Sequence, residues 1–124
     1  MAIKIVTSSF FFLALVSSVC YGDGIEKKHY TPIQYLKNYA LSSCIADGYQ
    51  SKDVVNDATA GANGYKELGS LDIDAYNEAA VLGRKFLAKE YLSQSGEKLI
   101  LMKCIDFYHS KELDRLARKY ANKK

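Results

Sequence analysis

The sequence predicts an all-α fold, a compact bundle of about five helices in one small domain. Three observations carry this. Apolar residues recur at three- and four-residue spacing in five successive segments, no segment sustains the alternation of a strand, and capping residues and turn formers separate the segments. Thr31 before Pro32 sets an N-cap with Pro at the first helical position. The first helix then runs to about Tyr49, with Ile33, Leu36, Ala40 and Cys44 on one stripe and Leu41 and Ile45 widening it. Ser51 and Asp53 open a second helix carrying Val54, Ala58, Ala62 and Tyr65 at helical spacing. Gly61 and Gly64 weaken it by up to about 1 kcal/mol each relative to Ala, and their small size points to a close helix approach. Gly69 is its stop.

The stretch SLDID (70–74) caps a third helix whose apolar face is Ile73, Tyr76, Ala80, Gly83 and Leu87, with Phe86 beside it. Residues 91–96 (YLSQSG) have turn chemistry. A fourth helix from Glu97 carries Leu101, Cys104, Ile105 and Tyr108, while Ile100, Met102 and Phe107 make its other side apolar too. Such a helix is expected at the centre of the bundle. Ser110 caps a fifth, with Leu113, Leu116, Ala117 and Tyr120 inward and Asp114 placed to pair with Arg118.

The N-terminus reads as an address. Lys4 precedes an apolar run, Phe10 to Val16, followed by small residues through Gly22, the pattern of a secretory signal peptide over residues 1–22. The run is too short and too broken by Thr7, Ser8 and Ser9 for a membrane span of about 20 residues. An alternative acylates Cys20, although Val19 is bulky for lipoprotein processing. Residues 23–30 form a mobile lead-in, and 31–124 the helical domain. Export leaves two cysteines, Cys44 and Cys104, both on buried stripes. In an oxidising compartment an even pair reads as a disulfide, here joining the first and fourth helices; the other reading is two buried thiols.

Composition and charge narrow the function. At 124 residues the chain is too small for a large enzyme, and its net charge of +3 is scattered rather than gathered into the basic stripe of a nucleic-acid binder. Two histidines occur, His29 in the lead-in and His109 between the last two helices, and neither has a partner at metal-ligand spacing. No strand precedes a Gly-rich phosphate loop. No cofactor or metal is therefore expected, and no catalytic residue; a hydrolase reading rests only on His109 and nearby acids.

Two charge blocks stand out. Residues 111–124 are basic and read as a solvated tail suited to a helix C-terminus. Residues 66–78 hold Glu67, Asp72, Asp74 and Glu78 against Lys66. That block reads either as capping of the third helix or, with Tyr65, Leu71 and Tyr76, as an acidic and aromatic surface for a protein partner.

Three segments resemble a known family: NYALSSCIADGY around Cys44, DATAGANGYKELG, and MKCIDFYHSKELDRLARKY around Cys104. They are similar to periplasmic immunity proteins against type VI secretion amidase effectors, specifically those paired with the fourth amidase family. The likeness runs from about Tyr30 to Tyr120. It implies a helical, non-enzymatic inhibitor, often a homodimer, that plugs the active-site cleft of a cysteine-peptidase-like amidase. Such amidases cut peptidoglycan stems between D-glutamate and diaminopimelate. Cys44 and Cys104 match the family's cysteines and would carry its disulfide. The expected partner is the cognate amidase effector, met through Tyr65, Glu67, Leu71, Asp72, Asp74 and Tyr76, with no nucleic acid and, after signal cleavage, no membrane. The second reading is a small periplasmic ligand-binding or envelope-stress module whose pocket is lined by tyrosines and the Gly61 to Gly64 region.

Overall fold

The computed structural model describes residues 29–123. The expected signal peptide, Cys20 and most of the expected lead-in lie outside them. Five helices follow one another: α1 (Pro32–Gly48), α2 (Lys52–Leu68), α3 (Ile73–Leu87), α4 (Ile100–Tyr108) and α5 (Lys111–Ala121). No helix among the described residues is long and apolar enough to cross a membrane.

Local chemistry explains the helix starts. At α1 the Gln34 N–H donates to Thr31 Oγ1 (3.2 Å) while the Thr31 N–H donates to Gln34 Oε1 (2.9 Å), a reciprocal capping box. Asp72 caps α3 by accepting from the Asp74 N–H, and Ser110 caps α5 by accepting from the Leu113 N–H. These bonds satisfy amide donors that the helix itself leaves open.

The central element is α1, which packs against each of the other four helices. Its Leu36, Ala40 and Cys44 meet Ala75, Tyr76, Ala79 and Phe86 of α3, Cys104 and Phe107 of α4, and Leu113, Ala117 and Tyr120 of α5. Ile33, Leu41 and Ile45 pack at the edge of this core, as their stripe predicts. The outer helix α2 buries only Ala62 fully.

Four expectations change. First, α4 is not central: it starts at Ile100 rather than Glu97 and turns a single stripe inward, leaving Leu101, Met102 and Ile105 exposed. Its start is set by Leu99, held in the left-handed region (φ 51°, ψ 38°), a conformation that cannot continue a right-handed helix. Second, α3 is rotated from its expected face: Ala75 and Ala79 are buried, while Ile73 is 56% exposed and Ala80 and Leu87 are half-buried. Third, the Lys37 ammonium of α1 donates to Asp114 at 2.6 Å, so Asp114 ties α5 to α1 instead of pairing with Arg118. Fourth, a Cβ on Gly61 would find ordinary contact with Ser42 and one on Gly64 would find open space. Tighter approaches lie at Gly48, where a Cβ would run into the Ile100 and Leu87 side chains, and at Gly83, where it would sit 3.1 Å from the Phe107 ring.

Salt bridges stitch the bundle from outside: Lys37 to Asp114, Arg84 to Asp47 (3.4 Å) and Lys119 to Glu78 (3.0 Å). The Tyr120 hydroxyl also donates to Glu78 at 2.6 Å, which pushes the phenol up to about 12. The same hydrogen bond, aided by Lys119, holds the Glu78 carboxyl below its ordinary value, and the Lys37 hydrogen bond does so for Asp114. A depressed carboxyl pKa stabilises the fold fully above the unfolded carboxyl range of about 4, and that contribution disappears as pH falls through the folded value. The melting temperature should therefore drop below about pH 4, and drop less in a Glu78→Gln/Asp114→Asn variant, as thermal melts across pH 2–6 would read. Both groups are partly solvated, so the difference should be modest.

Candidate partner-binding surface

The covalent frame of the site is the disulfide. Cys44 and Cys104 are bonded, with Cα atoms 5.6 Å apart, and both are buried between α1 and α4. Neither offers a thiol for nucleophilic chemistry. His109 is exposed just beyond α4, its ring meeting the edge of Tyr108. Among the described residues no group of three or more His, Cys, Asp and Glu could hold a metal ion.

The junction between α2 and α3 gathers most of the residues that the sequence assigns to a partner surface. Glu67, Asp72 and Asp74 are exposed, and Leu71 is half-buried. Leu71 and Asp72 line a recess of about 300 Å³ together with Pro32, Ser70, Tyr120 and Lys123, so the acidic junction borders the basic end of α5. Tyr65 is half-buried, its ring 6.1 Å from that of Tyr30, which in turn meets the edge of Tyr35.

Tyr76 departs from that set. It is 2% exposed, so the direct contact expected of it is replaced by a packing role. Its ring meets Tyr39 edge-on at 5.1 Å, and its hydroxyl lies against Gly69, where any side chain would collide with it. The Leu71 N–H approaches that hydroxyl without reaching hydrogen-bond geometry, and burial pushes the phenol up. Sequence periodicity had already put Tyr76 on the inner face of α3, and that signal outweighs its place in an acidic stretch.

Two residues were missed at this corner. Leu68 is 61% exposed and Ile73, expected inside, faces solvent beside the acids. The junction is thus apolar at its middle and anionic around it, with Leu68 and Ile73 flanked by Glu67, Asp72 and Asp74. Exposed aliphatic side chains with a polar rim are the usual anatomy of a protein-binding patch.

A second surface had no expectation at all. The connection from Ala88 to Leu99 carries Leu92, whose side chain is fully exposed (102%). A groove of about 690 Å³ runs between Gly48–Gln50 and residues 96–102, and the exposed Leu101 and Met102 form part of its lining. Neither this groove nor the recess at the α2–α3 junction is lined by Gly61 or Gly64.

Comparison with known proteins gives this geometry a context. No curated protein matches. A chain from the structure of the Tae4/Tai4 effector–immunity system of Salmonella typhimurium is 36% identical, with a TM-score of 0.71 over 76% of this chain and 93% of that one. A chain from a structure of type VI-secreted toxins and self-resistance proteins of Serratia marcescens is 30% identical, with a TM-score of 0.69 over 79% and 82%. The Enterobacter cloacae Tae4–Tai4 complex holds a chain of the same fold at 20% identity and a TM-score of 0.64, covering 71% of this chain and 90% of that one. A family model described as type VI secretion system amidase immunity protein matches residues 34–117, from the first turn of α1 to the middle of α5. That match takes in both cysteines and the whole α2–α3 junction, and the chain belongs to the Tai4 family of type VI secretion amidase immunity proteins.

Proposed function

We propose that this chain is a periplasmic immunity protein that binds its cognate amidase effector and occludes the active-site cleft, protecting the cell from peptidoglycan hydrolysis by itself or its siblings. It is a binder and not an enzyme. The single observation that carries the reading is the family match across residues 34–117. The structure is compatible with it in physical terms. An inhibitor must hold its target at a Kd near nanomolar, about −12 kcal/mol, usually through about 1,600 Å² of interface. A disulfide-pinned bundle has little conformational freedom left to lose on docking. The buried disulfide also fits an oxidising compartment such as the periplasm.

Within this proposal the α2–α3 junction supplies contacts. Glu67, Leu71, Asp72 and Asp74, with Leu68 and Ile73 between them, present carboxylates that can meet basic groups at the rim of a catalytic cleft. Tyr65 borders them. A homodimer, which the family resemblance implies, belongs to the same reading, and sedimentation equilibrium of the free protein would read it.

The test is protection. Cells that export the cognate amidase to the periplasm should lyse, and should survive when the full chain is co-expressed. A chain lacking residues 2–22 should give no protection despite normal accumulation. Lysis with the full chain present in the periplasm would refute the function, and protection by the truncated chain would refute the compartment. Glu67→Lys/Ile73→Ser probes the surface: neither side chain makes a hydrogen bond or ion pair within the domain. The variant should melt within a few degrees of wild type while Kd for the amidase rises about 10- to 100-fold. Unchanged affinity by calorimetry would move the contact elsewhere.

A further inference from the structure

The bundle divides into a braced frame and one weakly held unit. The frame is α1, α2, α3 and α5: α2 packs on α1, and α1, α3 and α5 pack on one another directly. Polar ties run between these helices. Lys37 of α1 binds Asp114 of α5, Asp47 of α1 meets Arg84 of α3, and Glu78 of α3 accepts from both Lys119 and Tyr120 of α5. Tyr39 of α1 meets Tyr76 of α3 edge-on. None of these groups belongs to α4.

The unit is α4 with the connection that leads into it. At nine residues α4 is below the length of about 12–15 at which a helix begins to hold alone in water. No side chain caps its start, and Leu99 there occupies the left-handed region, which an L side chain enters at a cost. Its inward Lys103 is a buried ammonium, deprived of most of its water. Leu101, Met102 and Ile105 lie exposed and add little to its hold. The connection bonds mainly to α4 and to itself: the Tyr91 hydroxyl donates to Asp106 at 2.6 Å, and the Glu97 N–H donates to Ser93 Oγ at 3.2 Å.

Few contacts join the unit to the frame. The Phe107 ring lies 5.1 Å from that of Phe86, Ile100 packs at the edge of the core, and the Lys103 ammonium donates to the Leu87 carbonyl at 3.1 Å. Lys37, already bonded to Asp114, lies 4.8 Å from the centre of the Tyr108 ring. The remaining tie is the bond from Cys104 to Cys44, and it alone depends on redox state.

We propose that the Cys44–Cys104 bond is a latch for this unit: in the reduced chain α4 and residues 88–99 leave the bundle while α1, α2, α3 and α5 stay folded. The groove between Gly48–Gln50 and residues 96–102 then exists only in the latched chain, because the released unit forms one of its walls. The inference deepens the periplasmic reading, since a chain still in a reducing compartment lacks this face and completes it on meeting an oxidant.

The chemistry is thiol–disulfide exchange. One thiolate of a dithiol attacks a bridge sulfur and forms a mixed disulfide, and its second thiol displaces the remaining cysteine. Two electrons pass to the bridge, the dithiol leaves as a disulfide, and its two protons end on Cys44 and Cys104. Latching is the reverse, with a protein disulfide as the oxidant. Cys44 is 2% exposed and Cys104 0%, so neither sulfur is reached while α4 is docked, and attack waits on opening of the unit.

To test this, the exported chain is purified oxidised and treated with dithiothreitol without denaturant, and hydrogen exchange is read by segment. In the reduced chain, amides of residues 88–108 should exchange within about 10-fold of an unstructured chain, while core amides of α1, α3 and α5 stay at least about 100-fold slower than that. Helical circular dichroism should fall by no more than the share of nine residues. Loss of protection in α1, α3 and α5 as well would overturn the inference, making the bridge a staple of the whole domain. So would an α4 as protected as in the oxidised chain, or a bridge that resists dithiothreitol until denaturant is added.

The rate of reduction at saturating dithiothreitol, where opening limits it, gives a second reading. Phe107→Ala loosens the unit and should speed reduction at least about 10-fold. Tyr120→Phe removes a bond within the frame and should leave the rate unchanged. Equal acceleration in both variants, or none in either, would overturn the latch. These measurements involve no amidase, so failure to protect cells would sink the functional reading and leave the latch standing.

Discussion

Replacing Cys44 and Cys104 together by Ala is expected to lower the stability of the domain by about 4 kcal/mol. The bridge spans a sequence separation of 60, and in the chain-entropy model a closed loop of that length restricts the unfolded state by about that amount. For a domain of this size, whose total stability is on the order of 5–15 kcal/mol, the loss is a large share. The structure shows where it falls. Helix α4 is a single short helix docked through Lys103, Cys104 and Phe107, and Cys44 is its only covalent hold on the central α1. Urea denaturation should show the shift in midpoint, and a reductant should move wild type by a similar amount while leaving the double Ala variant unmoved. Loss of protection should then track loss of folded protein, since neither cysteine reaches the surface. An unchanged midpoint would mean that the bridge contributes nothing to the fold.

Tyr76→Ala is expected to cost about 3–5 kcal/mol, the range for deleting a buried aromatic ring. The ring fills the space between α1 and α3 against Tyr39 and supports the turn at Gly69. Tyr76→Phe should behave differently. Its hydroxyl is buried without a hydrogen-bond partner, so removing it should be neutral or stabilising. Gly69→Ala supplies the matching test: its methyl would collide with that hydroxyl, and the penalty should shrink when Tyr76→Phe is present. Denaturation of the four variants as a double-mutant cycle reads the coupling. Stable folding of Tyr76→Ala with weakened inhibition would instead return Tyr76 to the contact surface.

Much of this fold is legible in the sequence because its signals are local. Thr31–Pro32 and Ser110 announce helix starts within one turn, and the Leu36, Ala40, Cys44 stripe is an unbroken run at helical spacing. Where periodicity is ambiguous, the reading slips. Residues 100–108 are apolar on nearly every side, so spacing alone cannot choose the inner face. The bond from Cys104 to Cys44, with Phe107 packed beside Gly83, makes that choice. The left-handed Leu99 that delays α4 leaves no trace in composition, and the Lys37–Asp114 bond joins residues 77 apart, beyond any local pattern.

The surface divides in the same way. The acids at 67, 72 and 74 are visible as a charge block, but the exposure of Ile73 depends on the rotation of α3 about its axis. Leu92 was hidden for another reason: a leucine among turn residues carries no sign of which way it points, and its full exposure follows from the path of the chain between α3 and α4.

Inhibition at defined stoichiometry is the most direct reading of the whole. The chain purified from the periplasm is titrated into its cognate amidase, held well above the expected Kd, with isolated peptidoglycan as substrate. Release of cleaved stems should fall linearly and reach zero near one inhibitor chain per enzyme. Hydrolysis that continues undiminished in large molar excess of the folded, oxidised chain would contradict occlusion of the cleft.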